Sequence, residues 1–257
     1  MTNHPSKNQS SNKKLNNEQD KIALEESRKI LSTYSAEERI AWASNTFSSG
    51  FALTTSFGIQ SAVLLNMLHN LSSQPKPKVI WVDTGYLPPE TYQYADTLSN
   101  KLNLDLVVAQ SPLSPARMEA IYGRLWETNS LENIEKYHLI RKVDPLEKAL
   151  ENLKVTCWAS GVRGGQTKHR RSMSFLDPIR GRLSLRPILE WTKKDIFYYM
   201  KENNLPQHPL FEKGYSTVGD WHSSAPDGVE KQGRETRFGG HKEECGIHTQ
   251  GEKGEGI

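Results

Sequence analysis

The stretch that decides the fold is residues 51–69, FALTTSFGIQSAVLLNMLH. Its first five residues are apolar or β-branched, which is typical of a buried strand. A turn at 56–58 follows, and residues 60–69 then have the apolar content of a packed helix. A strand that leads through a short turn into a helix is the repeating unit of α/β domains. We therefore expect the first strand of a parallel sheet here, with its helix behind it.

The same alternation continues on both sides of this stretch. Further strands are predicted at 79–82, 104–109, 155–159 and 183–188, and further helices at 89–101 and 192–203. Two helical segments precede the first strand, and Glu38 fits a capping box with Ser35 at the start of the second. This order predicts an α/β domain with a mainly parallel twisted sheet flanked by helices.

Composition divides the chain into three parts. Residues 1–20 are mostly Asn, Ser, Lys and Gln, which cannot bury enough apolar surface to offset the entropy of ordering, so a disordered polar tail is predicted. Residues 21–204 carry the strand and helix pattern and form the predicted α/β domain. Residues 205–257 are rich in Gly, charge and His with little periodicity, which predicts a mobile C-terminal arm.

The net charge, the apolar runs and the number of cysteines exclude several classes of protein. A net charge of +3 is too small to predict nucleic-acid binding, so any anion site has to come from local clustering. No apolar run approaches the roughly 18 residues of a membrane span, and the N-terminus lacks the apolar core of a secretory signal. Two cysteines far apart predict neither a disulfide framework nor a four-ligand zinc site. We expect a cytoplasmic protein without a bound metal that binds neither nucleic acid nor membrane.

Ligands of parallel sheets bind outside the carboxyl ends of the strands, so candidate site residues are sought in the turns that follow them. The turn after the first strand opens directly into a helix, and its backbone N–H groups and small hydroxyl side chains could hold an anion. The same residue types are also common as simple turn and cap residues. The candidates in this turn are Thr55, Ser56, Phe57, Gly58 and Ser61.

Two later segments add candidates. Asp83 ends the second strand and could bind a ribose or an adenine amine, or could simply cap its turn. A basic run follows the fourth strand, where arginines could bind phosphate or sulfate in a bidentate manner; a solvated basic loop is the alternative. The candidates in this run are Arg163, Gln166, Lys168, Arg170 and Arg171, and Arg141 and Lys142 form a further pair.

The two cysteines have opposite surroundings. Cys157 lies in an apolar predicted strand and is expected to be a small buried hydrophobic residue. Cys245 lies in the polar segment KEECGIH, which suits a reactive thiol better than a packed one. His248 could activate this thiol or could be a surface histidine. The acidic residues before Cys245 would raise the pKa of the thiol, so basic groups such as Arg237 would have to favour the thiolate.

Taken together, these segments resemble the phosphoadenylyl-sulfate (PAPS) reductase family over about residues 50–248. The most specific element is ECGIH at 244–248, which matches the catalytic signature of the family. The supporting matches are TTSFG at 54–58, WVDTG at 81–85, RKVDPL at 141–146 and KGYSTVGD at 213–220. The resemblance implies an adenine-nucleotide α-hydrolase fold related to PP-loop pyrophosphatases, with 21–204 as the nucleotide-binding domain and a degenerate PP-loop at Ser56.

An iron–sulfur branch of this family reduces adenylyl sulfate (APS). Its members carry Cys-Cys where this chain has Tyr137-His138, and Cys-x-x-Cys where this chain has residues 220–223, DWHS. A [4Fe–4S] cluster needs four thiolates, and this chain has two cysteines. The resemblance therefore implies the cluster-free branch, which has no bound cofactor and takes electrons from reduced thioredoxin or glutaredoxin.

In such an enzyme, Cys245 would attack the sulfuryl sulfur of PAPS, release adenosine 3′,5′-bisphosphate and become an S-sulfocysteine. Thioredoxin would then release sulfite, as in assimilatory sulfate reduction. A lone exposed thiol also makes a homodimer plausible, bridged through Cys245 under oxidation. Two alternatives stay open at this point: a cluster-free reductase of APS, and a nucleotide-binding redox sensor without turnover.

Overall fold

The structure is a computed structural model that describes residues 18–73, 75–128, 130–240, 244 and 246–248. In that part of the chain, six strands form one sheet in the order β3-β2-β1-β4-β6-β5. The strands are β1 (Phe51–Thr55), β2 (Lys78–Asp83), β3 (Leu106–Gln110), β4 (Cys157–Ala159), β5 (Leu176–Ile179) and β6 (Arg182–Leu185). Neighbouring strands are parallel, except that β5 is antiparallel to β6, so the sheet is mainly parallel as predicted.

Helices connect and flank these strands. They are α1 (Glu18–Thr33), α2 (Ala36–Phe47), α3 (Ala62–His69), α4 (Pro89–Leu102), α5 (Pro115–Tyr122), α6 (Leu131–His138), α7 (Asp144–Asn152), α8 (Lys168–Arg171) and α9 (Lys193–Glu202). A π-helical turn, Leu139–Val143, joins α6 to α7 without a break. In the described residues, no helix combines the length and the apolar content needed to cross a membrane.

The central strand β1 shows why the chain folds into layers. Successive side chains of a strand point to opposite faces of its sheet. Leu53 belongs to the larger core, which includes residues of α2, α3, α4 and α9. Ala52 belongs to a second core on the other face, completed by Leu146 and Leu150 of α7. Because both faces are covered, β1 begins with consecutive apolar residues instead of an alternating pattern.

Strand β5 was not predicted from the sequence. It has only four residues, and one of them is Pro178. Proline cannot donate a ladder hydrogen bond and is confined to edge strands, so a sequence pattern containing it argues against a central strand. The structure agrees with that rule, since β5 lies at the edge of the sheet next to β6.

The two ends of the chain differ from their predicted limits. Helix α1 begins at Glu18, so the last three residues of the predicted polar tail belong to a helix, and residues 1–17 lie outside the described part. Residues 205–238 pack against the domain instead of leaving it, with Leu205, Leu210 and Val218 buried. The buried side chains of this segment are isolated residues separated by turns. The sequence there therefore lacks the hydrophobic periodicity of a helix or a strand.

His208 illustrates how this segment is held. Its side chain is fully buried, with Nε2 3.1 Å from Oγ1 of Thr91 in α4, and its Nδ1 accepts a hydrogen bond from the Leu210 amide at 3.1 Å. Burial lowers the pKa of His208 to about 4, which the charge of Glu90 only partly opposes. The folded protein therefore keeps this imidazole neutral at pH values where the unfolded chain, with a pKa of about 6.5, protonates it.

We expect the free energy of unfolding to fall as the pH drops from about 6.5 toward about 4, because the unfolded state binds protons at His208 that the folded state does not. His222, whose pKa burial also lowers to about 4, adds to the same slope. His208→Gln, which can still pair with Thr91 and the Leu210 amide, should flatten the profile in urea unfolding measured across this range. A variant profile parallel to that of the wild type would contradict this account.

Candidate active site

A cleft opens at the carboxyl ends of β1, β2 and β4, where the position of ligands in parallel sheets predicts it. Its described lining includes four basic side chains and one carboxylate, Asp220. Many of the candidates from the sequence meet there. The lining contains Thr55, Ser56, Gly58, Ser61, Lys142, Gln166, Arg170, Arg237 and His248. This arrangement suits a small molecule that carries several negative charges.

Phe57 lies in the turn between β1 and α3, but it is not among the described residues that line the cleft. Its backbone has a φ of +46°, a region that favours glycine, and its amide donates to Oγ1 of Thr55 at 3.1 Å. The ring is fully buried against Trp81, with centroids 5.1 Å apart in an edge-to-face contact. Burial of the ring offsets the backbone strain, which explains how phenylalanine stands in this turn and leaves Ser56 and Gly58 facing the cleft.

Lys142 enters the cleft from the π-helical turn between α6 and α7. Its ammonium group lies 2.6 Å from Oδ2 of Asp220, which is completely buried, and Oδ1 of Asp220 accepts a hydrogen bond from Thr84 at 2.5 Å. Burial alone would raise the pKa of Asp220, but the charges of Lys142 and Arg237 and these hydrogen bonds hold it well below its usual range. The pair is therefore ionised, and Lys142 is fixed in position by a carboxylate that cannot move to solvent.

Arg141 and Asp83, both candidates, are used for structure instead. Arg141 is buried and donates to the carbonyl oxygens of Thr84 and Leu113. Asp83 accepts hydrogen bonds from the Gly85 amide at 2.8 Å, from Tyr92 at 2.7 Å and from Gln110 at 2.6 Å. The bond from Gly85 is that of a side chain that caps its own turn, one of the two roles that the sequence allowed. Neither side chain belongs to the described lining of the cleft.

Arg237 reaches the cleft from the segment that the sequence assigned to an arm. Its guanidinium donates to Oγ of Ser223 at 3.0 Å and of Ser224 at 3.3 Å. Gly219 lies directly under this guanidinium, so a Cβ at position 219 would overlap it. A side chain at position 219 would therefore have to displace this guanidinium, although the backbone angles of Gly219 are open to other residues.

For adenosine 3′,5′-bisphosphate, the product that the resemblance implies, we expect Gly219→Ala to weaken binding by about tenfold, because the new methyl group displaces a buried Arg237 whose charge-assisted contacts are worth about 1.5 kcal/mol or more. Isothermal titration calorimetry measures the change. Gly165→Ala is the matched control, since a Cβ there meets nothing within 4 Å. Equal affinities for both variants would show that Arg237 does not contribute to the site.

The basic run after β4 is divided by the structure. Gln166 and Arg170 line the cleft. Arg163 is buried and donates to Oε1 of Gln60, while its own amide donates to Gln166 at 2.9 Å. The other two candidates, Lys168 and Arg171, are exposed on α8 and are not part of the described lining. Helical spacing explains this division, because a four-residue helix cannot point all its side chains to one side.

Glu244, which precedes Cys245, is anchored to the same run. Its two oxygens accept from Arg170 at 2.7 and 2.8 Å, and Thr167 donates to it at 2.9 Å. Burial would raise the pKa of Glu244, but Arg170, Arg234 and Thr167 lower it on balance. Arg170 therefore neutralises the charge of Glu244. Cys245 itself lies outside the described residues.

His248, the second catalytic candidate, lines the cleft beside the aromatic ring of Trp158. The two rings are stacked, with centroids 5.4 Å apart and an interplanar angle of 21°. Burial, reinforced by surrounding arginines such as Arg170 and Arg186, holds the pKa of His248 well below 6.5. The imidazole is therefore neutral and a weak base, and it supplies no positive charge to stabilise a thiolate.

The four positions at which the iron–sulfur branch carries cysteines hold Tyr137, His138, Asp220 and Ser223 in this chain. The Tyr137 hydroxyl lies 3.1 Å from Nε2 of His222. The ring of Trp126 stacks on the ring of His222, with their centroids 4.0 Å apart. Among the described residues, no group of three or more His, Cys, Asp and Glu side chains is placed to hold a metal ion.

Sequence reasoning missed several residues of the site. The motif at 213–220 was noticed only as a resemblance, yet it provides Ser216, Thr217 and Asp220 to the lining of the cleft. Arg234 was missed because a single arginine in a polar segment carries no periodic signal. The one available signal was the repetition of arginines at 234 and 237, three residues apart, just before the cysteine.

Residues 50–226 match the family model of the phosphoadenosine phosphosulfate reductase domain. The chain belongs to the phosphoadenosine phosphosulfate reductase family. It is an oxidoreductase, as the sequence predicted. The phosphoadenosine 5′-phosphosulfate reductase of a Synechococcus species is 50% identical to it over 227 residues, which cover 88% of this chain and 97% of that one. The one of Vibrio cholerae is 42% identical over 234 residues, which cover 91% of each.

Solved structures agree with the assignment to this reductase family. The PAPS reductase of Candida auris, crystallised as a phosphate complex, has a TM-score of 0.68 and 26% identity and covers 79% of this chain and 96% of that one. An FMN adenylyltransferase of Candida glabrata has a TM-score of 0.55 at 13% identity and covers 81% of this chain and 70% of that one, so it shows the fold alone. The two likenesses confirm the predicted PP-loop-related fold class.

Proposed function

We propose that this chain reduces PAPS to sulfite and adenosine 3′,5′-bisphosphate in sulfate assimilation, with Cys245 as the nucleophile and reduced thioredoxin or glutaredoxin as the electron donor. The observation that carries the proposal is the position of the residues on either side of Cys245. Glu244 is bound by Arg170, and Gly246 by Arg180. Arg170 lines the cleft together with Lys142, Arg234 and Arg237, and Ile247 and His248, which follow Gly246, line it as well.

The first half-reaction is an attack of the Cys245 thiolate on the sulfuryl sulfur of PAPS. An S–S bond forms, the bond from sulfur to the phosphate oxygen breaks, and adenosine 3′,5′-bisphosphate leaves with the electron pair. The leaving group is a stable phosphate anion, so the main barrier is the approach of a thiolate to an anionic sulfate. Basic side chains such as Lys142 and Arg237 lower this barrier by neutralising the charge that both reactants bring.

The second half-reaction needs an external dithiol. A thioredoxin thiolate attacks the sulfur of Cys245, sulfite leaves, and the second thiol of thioredoxin resolves the mixed disulfide. The net change is a two-electron reduction of sulfur and a two-electron oxidation of thioredoxin, with two protons released. Cys157 is unsuited to the resolving role, because it is fully buried in β4 and burial raises the pKa of its thiol.

The proposal is tested by measuring sulfite release from PAPS and from APS in parallel, with the same reduced thioredoxin. We expect turnover of PAPS and much slower turnover of APS, since the relatives that this chain matches along most of its length are named as reductases of phosphoadenosine phosphosulfate. Equal rates would remove the case for a dedicated 3′-phosphate site and favour the cluster-free APS reductase. Nucleotide binding without sulfite from either compound would favour the redox sensor.

Two further parts of the proposal concern the setting of the enzyme. The reducing cytoplasm is the compartment in which Cys245 stays a thiol and thioredoxin stays reduced. A homodimer is proposed because an exposed thiol can link two chains on oxidation. Analytical ultracentrifugation of reduced and oxidised protein, with Cys245→Ser as control, distinguishes a non-covalent dimer from a disulfide-linked one.

A further inference from the structure

The hairpin between β5 and β6 contains an unusual residue. Ile179 pairs with Arg182, so the turn consists of Arg180 and Gly181 alone. Both have positive φ, +46° for Arg180 and +79° for Gly181, which is the pattern of a type I′ turn. Asparagine is the preferred residue at the first of these positions, and an arginine there costs conformational energy. Such a departure from local preference points to a role for the side chain.

The Arg180 side chain reaches the C-terminal segment of the chain. Its two terminal nitrogens donate to the carbonyl oxygens of Gly246 at 3.1 Å and of Ile247 at 2.9 Å. Its Nε donates to Oε1 of Glu147 in α7 at 2.7 Å, which orients the guanidinium. Ile247 packs on the second apolar core, against the same face of the sheet as α7. One guanidinium therefore links the hairpin, a core helix and the residues that follow Cys245 in the sequence.

We propose that Arg180 is a positioning residue, which fixes the segment Gly246–His248 against the domain so that the nucleophile preceding it is presented to the cleft in one geometry. This inference rests on the proposed function for the identity of the nucleophile. The contact is to main-chain oxygens, so it holds the path of the chain whatever side chains occupy the segment. On the other side of position 245, the side chain of Glu244 is held by Arg170. The two anchors together define the direction from which the segment approaches the cleft.

Arg182 provides a matched comparison within the same hairpin. It donates to the other oxygen of Glu147 at 2.6 Å and to the Val155 carbonyl at 3.1 Å, so it shares the carboxylate partner of Arg180. Among the described residues, its hydrogen bonds go to Glu147 and the Val155 carbonyl, and none goes to residue 244 or to residues 246–248. Replacement of Arg182 therefore removes an ion pair between the hairpin and Glu147. Replacement of Arg180 removes an ion pair with Glu147 and also the hydrogen bonds to Gly246 and Ile247.

The test is Arg180→Asn, which places the preferred Asn-Gly sequence in the turn and removes both hydrogen bonds to the segment. We expect the melting temperature to stay the same or rise, and kcat for PAPS to fall by about tenfold to a hundredfold, because charge-assisted hydrogen bonds that hold reacting groups are lost. The KM for PAPS should stay within about twofold, since the basic lining of the cleft is intact. Amide hydrogen exchange at residues 246–248 should become faster in the same variant. Arg180→Lys, which retains one charged donor, should recover part of kcat.

Arg182→Ala should leave kcat and exchange at 246–248 near the wild-type values. A normal kcat and unchanged exchange in Arg180→Asn would overturn the inference, and so would an equal loss of kcat in Arg182→Ala. Failure of the proposed function is distinguishable from this, because it shows as absence of sulfite from the wild type. Exchange at 246–248 still reports on the Arg180 contact in that case.

Discussion

Cys245→Ser is expected to lower the rate of sulfite formation from PAPS by more than about a thousandfold, because the serine hydroxyl at neutral pH is a far weaker nucleophile than a thiolate. Binding of adenosine 3′,5′-bisphosphate should stay within about twofold, since the basic residues of the cleft are untouched. In the absence of thioredoxin, intact-mass spectrometry of the wild type after incubation with PAPS should show one added sulfite group. The variant should show none.

Cys157→Ala is the matched control for this experiment. Cys157 is fully buried, and burial raises the pKa of its thiol, so it cannot serve as a nucleophile in the folded protein. Full turnover is therefore expected once circular dichroism confirms that the variant is folded. Substantial residual activity in Cys245→Ser, or loss of turnover in a folded Cys157→Ala protein, would refute the single-thiol mechanism.

Asp220→Asn is expected to destabilise the fold by about 3–5 kcal/mol, because it removes one partner of a buried ion pair and leaves the ammonium of Lys142 without a counter-charge. The pair also has a predictable dependence on pH. Because the pKa of Asp220 is lowered in the folded state, its contribution is fully present above about pH 4 and is lost as the pH falls toward the folded value. Urea unfolding of both proteins at neutral pH measures the difference in the free energy of unfolding.

A double variant separates stability from function. Lys142→Met with Asp220→Leu removes both charges, and replacement of a buried pair by apolar residues of similar volume is often neutral or stabilising. We expect the double variant to regain most of the stability that Asp220→Asn loses, but to reduce PAPS slowly because Lys142 no longer faces the cleft. If the double variant were as unstable as Asp220→Asn, the buried charge of Lys142 would not be the cause. If it retained full activity, Lys142 would have no role in the reaction.

The fold could be predicted wherever the chain repeats a local pattern. The apolar run of β1 and the helix α3 behind it follow the periodicities of their element types, and the Ser35–Glu38 capping box is present as predicted. The edge strand β5 lacked such a pattern. The site was predicted in part, because the turns after parallel strands meet at one edge of the sheet. Thr55 and Ser61 lie there for that reason.

The surroundings of other candidates could not be predicted, because a residue type does not reveal its partner. Arg141 and Arg163 have the charge that suits an anion site, but each donates its hydrogen bonds to groups of the protein itself. Whether a guanidinium faces a ligand or a carbonyl oxygen depends on residues distant in the sequence, such as Leu113 for Arg141. The sequence alone does not show which of these distant residues comes close to the guanidinium in the folded protein.

By itself, the sequence determined the class of the fold, the resemblance to a reductase family and the exclusion of a four-thiolate cluster, since local periodicity, motif order and a count of cysteines need no coordinates. Only the tertiary structure decided which cations face the cleft, that Asp220 holds Lys142, and that Arg180 and Arg170 anchor the residues around position 245. Those are contacts between residues far apart in the chain, and their strength depends on burial and on angstrom-scale geometry that exist only after folding.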